Sequence, residues 1–331
     1  MAHARRWGLI DKLGLDAQKL VDFLVRVDKE YFDIPYHNAI HAADVVHATH
    51  FFLASCGGHA HLQKGLKEGD VCTGNLHTFA LILAAAVHDL QHDGYNNRYH
   101  ELVKSTRAQR WEKSIQERHH LDVAFRLLGE DSLDFTAGWP AARRGRLVEL
   151  VREQVLATDM NFHFDLIAEF QAAVGKGEGN KAFWNTPDSH GLLCRLVLHA
   201  ADISNPARAM EAKITWASLV CQEFFNQGDE ERDMGAEISP NCDIKAVNLP
   251  VSQEGFIRVI VRPTFELIGQ VLPAVTDAFV PHLQAAEKFY GGMSSKDLPK
   301  ELRFTKLEGG GKFLYRPQAA GLAKPRPARC E

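Results

Sequence analysis

His37, His41, His88, Asp89 and Asp202 are the residues of this 331-residue chain whose types and spacing could do chemistry. They fall in three stretches that read as helical, YHNAIHAADVVH, AAAVHDLQHDG and LHAADISNP. Imidazole and carboxylate are the ligands that borderline and hard divalent cations take, so the first chemistry they raise is a hydrolytic metal centre. His37 and His41 stand four residues apart, and Asp44 stands seven from His37, which on a helix makes one cleft-facing stripe. Alone, an HxxxH pair more often caps or packs a helix end than binds a metal. His88 and Asp89 are adjacent and point about 100° apart on an ideal helix, so a shared cation must lie over the edge between them. Gly94 marks the approaching end of that helix, where free carbonyls favour a cation, and His92 and Asn97 follow closely. Asp202 closes the apolar run LLCRLVLHAADI just before Pro206 stops the helix. Its bland alternative is to cap the next turn, yet a carboxylate in such apolar surroundings needs a partner. Jointly the stretches offer two imidazoles and two carboxylates to one ion, and one carboxylate can bridge to a second, harder ion in a two-metal hydrolytic arrangement.

These side chains need helices to position them, and apolar periodicity supplies candidates. Leu20, Phe23, Leu24 and Val27 follow the i, i+3, i+4, i+7 pattern of an amphipathic helix. Similar patterns predict helices over roughly 41–54, 76–90, 118–128, 144–158, 162–174, 191–201, 209–227, 255–267 and 271–289. The β-branched runs RLVLHAADIS and IRVIVRPTF lack the turn-bounded alternation of strands, so no substantial sheet is expected. Gly-, Pro-, Asn- or Ser-rich breaks at 56–58, 138–140, 175–180 and 239–251 are too short for interdomain linkers. The reading is a compact all-α, multi-helix single catalytic domain over residues 1–308, followed by a flexible Gly/Pro/basic tail over 309–331.

Composition narrows the function classes. Lys and Arg number 38 against 42 Asp and Glu, a formal charge of -4, and no basic stripe interleaves with aromatics, so no nucleic-acid polymer is expected as partner. Six cysteines form no CxxC pair and read as reduced thiols. The apolar run from Phe79 to Val87 is too short to span a bilayer, and the default location is cytoplasmic. Several of the 17 histidines cluster, including His47, His50, His119 and His120, and not all can be ligands.

Beyond these residues, the motifs resemble the catalytic domain of class I cyclic nucleotide phosphodiesterases, within the wider HD-type metal phosphohydrolases. The resemblance rests on YHNAIHAADV at 36–45, HDxxHxGxxN from His88 to Asn97, LATDM at 156–160, HAADISNP at 199–206, EFFNQGDEE at 223–231, ISPNCD at 238–243 and SQEGFI at 252–257, and it covers residues 15–290. It implies that His41, His88, Asp89 and Asp202 bind a tighter metal, usually Zn2+. Asp89 would bridge to a second, usually Mg2+, with Mn2+ as its alternative. His92, Glu117 and Asp159 would orient waters around that second ion. By the same resemblance, hydroxide generated between the cations attacks phosphorus, His37 protonates the leaving ribose 3′-oxygen, and Glu223 orients His37. Gln253 would pair with the purine, Phe256 would stack on it, and Val220 would form the opposite jaw, with Tyr36, Met160 and Asn205 as further substrate contacts. The implied reaction converts 3′,5′-cyclic nucleotides to nucleoside 5′-monophosphates. Asn205 gives a slight lean to cyclic AMP, with dual specificity open. Asp93, Arg98 and Tyr99 depart from the family pattern, and Asp93 is expected to add a carboxylate beside the metal shell. The rivals are another HD-type nucleotide phosphohydrolase and a catalytically silent nucleotide-binding module.

Overall fold

The computed structural model describes residues 2–67, 70–178, 180, 182–294, 296–307 and 315–318. In chain order its longer helices are α1 (Ala17–Glu30), α2 (Ala39–Ala54), α3 (Gly74–Val87), α4 (Ile115–Leu128), α5 (Ala141–Leu156), α6 (His163–Gly177), α7 (Pro187–Asp202), α8 (Met210–Asp233), α9 (Leu249–Phe256), α10 (Arg262–Gly269) and α11 (Ala274–Gly291). The chain is mostly helical, as its apolar periodicity predicts. Short helices at Ala2–Arg6, Leu9–Leu13, Gly58–Leu62, Asn97–Leu102 and Thr106–Arg110 escape that reading because each is too brief to show a period.

The core forms around α3, in which every residue except Asn75, Ile82 and Ala86 is buried. A helix apolar on all sides must be enclosed, and α2, α5 and α7 pack around it. Thr73 caps its start by accepting the Leu76 amide at 3.1 Å. The Thr186–Ser189 capping box and Pro187 in the first turn begin α7, which also packs on α2. The last turns of α3 and α7 and the first turn of α2 are thereby brought to one place.

Two elements differ from expectation. The helix expected over 255–267 is α9 and α10 joined by a π turn at Ile257–Val261. Pro263 has no N–H to offer the carbonyl of residue 259, so the ladder widens there. Phe304–Lys306 pairs antiparallel with Tyr315–Pro317, Phe304 opposite Pro317 and Lys306 opposite Tyr315. Residues 315–318, assigned from sequence to the loose tail, are therefore docked, with Tyr315 buried and its hydroxyl donating to Asp229 at 2.7 Å. The remainder of that tail, 309–314 and 319–331, lies outside the described residues. The five described cysteines are free thiols, and no helix among the described residues is long and apolar enough to cross a membrane.

Candidate metal centre and substrate cleft

Asn38 begins α2 by accepting the amides of Ile40 at 2.8 Å and His41 at 3.3 Å, which sets His41 in the first turn, facing inward. His37 precedes this cap, so the two histidines do not form the helical stripe the spacing suggests. Asp44, the third member of that stripe, pairs instead with Arg208 at 3.0 Å. His88 caps the end of α3 and Asp89 follows it, while Asp202 is the last residue of α7. Both helix ends bring partial negative charge toward the same point.

One ligand atom from each of His41, His88, Asp89 and Asp202 lies within 4.8 Å of all the others. His41 Nε2 is 2.9 Å from Asp202 Oδ1 and 3.4 Å from Asp89 Oδ2, and His88 Nε2 is 3.1 Å from Asp89 Oδ2 and 3.3 Å from Asp202 Oδ1. Ligands held about 2.0–2.2 Å from a tetrahedral ion stand about 3.4 Å apart, so these spacings suit one. The donor chemistry fits as well. His88 Nδ1 donates to the Ala85 carbonyl at 3.0 Å, which leaves Nε2 as a lone pair, and His88 Nε2 and Asp89 Oδ2 are both buried without a hydrogen-bond partner. Burial pushes the carboxyl groups of Asp89 and Asp202 up, but His88 and His41 outweigh it and hold both below the ordinary range.

A neighbouring cluster joins His37, His92 and Glu223. Glu223, on α8, accepts the Tyr36 amide at 2.7 Å and the His37 amide at 3.0 Å through Oε1, and binds His37 Nδ1 at 2.5 Å through Oε2. Burial lowers the His37 pKa, yet the Glu223 charge and hydrogen bond raise it further, to about 9. His92 stacks on His37 with centroids 3.9 Å apart. Its Nδ1 accepts the Gly94 amide at 3.0 Å, and burial with the His37 charge holds it well below the usual imidazole range. Behind it, Glu117 accepts from Asn97 at 3.0 Å, and burial beside Asp159 pushes its carboxyl up to about 8. Asp159 accepts from the Ser114 hydroxyl at 2.9 Å and caps the short helix that begins at Met160.

Tyr36, His37, Met160, Asp202, Asn205, Val220, Gln253 and Phe256 line one cavity of about 530 Å3, within the span of small-ligand sites. Asn205 Nδ2 donates to the Tyr36 hydroxyl at 2.5 Å, leaving Asn205 Oδ1 buried and unpartnered. His92, Glu117 and Asp159 are not among the residues that line the cavity. Asp93 turns from the metal cluster to Arg107 at 3.3 Å, His100 at 3.2 Å and Gln116 at 2.9 Å, so it braces the loop and adds no ligand. Arg98 pairs with Glu237, and the Tyr99 hydroxyl donates to Glu230. Sequence reasoning missed two site neighbours. His120 Nδ1 donates to the Leu90 carbonyl at 2.7 Å, so its Nε2 lone pair faces Asp89 Oδ1 at 3.8 Å. Lys213 lines the cavity. Neither carries a local pattern; only the packing of distant helices reveals them.

A family model described as 3′5′-cyclic nucleotide phosphodiesterase matches residues 36–283. The probable 3′,5′-cyclic phosphodiesterase pde-1 of Caenorhabditis elegans is 34% identical over 278 residues, 83% of this chain and 39% of that protein. The dual specificity calcium/calmodulin-dependent 3′,5′-cyclic nucleotide phosphodiesterase 1B of Mus musculus is 35% identical over 269 residues, 80% of this chain and 47% of that protein. The chain thus spans less than half the length of these curated relatives. The crystal structure of the phosphodiesterase domain of Salpingoeca rosetta rhodopsin phosphodiesterase covers 88% of this chain and 85% of that one, with a TM-score of 0.75 at 24% identity, a likeness of fold. On the extent of the family match and the identity to these relatives, the chain belongs to the 3′,5′-cyclic nucleotide phosphodiesterase family.

Proposed function

We propose that this chain hydrolyses 3′,5′-cyclic nucleotides, cyclic AMP and cyclic GMP both, to nucleoside 5′-monophosphates. The observation that carries the reading is that His37, tied to Glu223, and Asp202, one of four converging ligands, open into the same cavity as Gln253 and Phe256. His41, His88, Asp89 and Asp202 would hold Zn2+, and Asp89 would also serve a second ion, Mg2+ or Mn2+. When bound, such cations supply a nucleophile at neutral pH and neutralise charge on the phosphate.

The remaining work falls to side chains. Glu223 holds the Nδ1–H of His37, so the proton on Nε2 is present at neutral pH and is delivered to the departing ribose 3′-oxygen. His92, Glu117 and Asp159, close to the carboxylates but outside the cavity lining, orient water there. Val220 and Phe256 sandwich the purine, and the Gln253 amide meets its edge. Asn205 Oδ1 offers an acceptor that the adenine amino group can use, which supports turnover of cyclic AMP.

The test is release of 5′-AMP and 5′-GMP from the cyclic substrates with Mg2+, before and after chelation and after Zn2+ and Mg2+ are restored. Activity is expected to vanish and return. Turnover of nucleoside triphosphates or guanosine polyphosphates in place of cyclic substrates would establish the other HD-type reading. Nucleotide binding without turnover by the reloaded protein would establish the silent module.

A further inference from the structure

We propose that Lys213 biases the purine end of this cleft toward guanine, making cyclic GMP the better substrate; the inference rests on the cyclic nucleotide reading above. Lys213 is 4% exposed and lines the cavity with Asn205, Val220, Gln253 and Phe256. Along α8, Lys213, Ala217, Val220 and Phe224 recur at i, i+4, i+7 and i+11 on the cavity-facing side. Among the described residues, the Lys213 backbone amide donates to the Ala209 carbonyl at 3.0 Å, but its ammonium makes no hydrogen bond and no ion pair. Asp202 is the carboxylate that lines the cavity, and it belongs to the metal cluster.

An unpaired ammonium partly desolvated in a cleft, whose burial lowers its pKa, costs free energy that an apolar side chain at the same place would not. The first turn of a helix, at the positive end of the peptide dipoles, is a further unfavourable setting for a cation. Both costs are offset if the partner arrives with the ligand. An ammonium carries three donors and no acceptor. Guanine presents O6 and N7, two neighbouring acceptors, whereas adenine presents an amino donor beside N7. Lys213 therefore finds a matching edge on guanine and meets the adenine amino group donor to donor. Gln253 does not decide between them. Its side chain makes no hydrogen bond among the described residues, so its amide can turn either face to the base. Lys213 has no second face to turn, and its preference runs against the lean that Asn205 gives toward cyclic AMP.

The experiment compares kcat/KM for cyclic GMP, cyclic IMP and cyclic AMP in the metal-loaded wild type and in Lys213→Met. Cyclic IMP carries O6 and N7 but no 2-amino group, so it isolates the edge that Lys213 would read. The wild type is expected to favour both cyclic GMP and cyclic IMP over cyclic AMP by about tenfold or more, the scale of one charge-assisted hydrogen bond. Lys213→Met should bring the three within about threefold, a loss of most of that factor. Competitive inhibition by 5′-GMP and 5′-AMP, measured on the unmodified protein, should show the same order and does not depend on the variant folding. A wild-type preference for cyclic AMP, a preference for cyclic GMP not shared by cyclic IMP, or an unchanged ratio in Lys213→Met overturns the role of Lys213 and leaves cyclic nucleotide hydrolysis standing. No hydrolysis of any of the three by the reloaded protein overturns both.

Discussion

His37 and His92 stack at 3.9 Å yet differ in charge, one protonated and one neutral, because their ring nitrogens have different neighbours. Glu223 keeps His37 protonated up to about 9, while the Gly94 amide occupies the one lone pair of His92 and burial beside His37 keeps that ring neutral. If His37 is the acid as proposed, activity should be present at neutral pH and lost as pH rises through about 9. In Glu223→Gln the charge that raises this pKa is gone while burial remains, so the alkaline limb of kcat should move to lower pH. An unmoved limb in a pH–rate profile would separate Glu223 from the acid. His37→Ala should lower kcat by about 10^2–10^4 with metal content unchanged. Asp202→Asn should instead lower bound Zn2+ and turnover together, as elemental analysis of dialysed protein would read. The candidate ligands are legible in sequence because their types are few and because His88, Asp89 and Asp202 each sit by a helix terminator. The partners of Asp93, and the placement of His120 and Lys213, are not, because they depend on which distant helix faces them.

Helix ends build the centre, so the elements matter through their exact stopping points more than their lengths. α3 and α7 stop beside each other because both pack on α2, and the long apolar periods that drive this were readable in advance. Less readable was the start of α2, where the Asn38 cap excludes His37 from the helix and frees it to reach Glu223. The hairpin partner Tyr315 was illegible for another reason. Its anchor Asp229 lies far back in the chain, on α8, where Phe225 also packs against Phe304 and Tyr315. The placement of α8 against the following loop has its own requirement. A Cβ on Gly228 would stand 2.0 Å from the Cys242 carbonyl oxygen, a backbone atom that cannot swing aside. Gly228→Ala should therefore destabilise the protein by about 1–3 kcal/mol, seen as a lower thermal midpoint. Because Glu223 lies on the same helix, kcat should fall with it. A variant that melts like the wild type would show that α8 and the loop can separate at little cost.

Across the whole molecule, the histidines outside the centre matter for stability more than for chemistry. His61, on the helix Gly58–Leu62, and His190, in α7, are buried with ring centroids 5.8 Å apart, and His77 of α3 stands 5.7 Å from His190. Burial pulls His61 and His190 down to about 4, and does the same to His163 beside His199. In the unfolded chain a histidine binds its proton near 6.5. The unfolded state therefore binds more protons than the folded one between these values, and stability present above about 6.5 is lost as pH falls toward 4. Each such histidine contributes a slope of about 1.4 kcal/mol per pH unit within that window. Urea unfolding at pH 7, 6 and 5 should show a steady decline, and His190→Gln should flatten it by one histidine's share even if the variant is less stable throughout. Taking the difference between the two proteins cancels any loss of bound metal in acid, which would be common to both. Parallel declines would mean that His190 is protonated in the folded protein, and the neutral cluster at the junction of α3, α7 and Gly58–Leu62 would have to be given up.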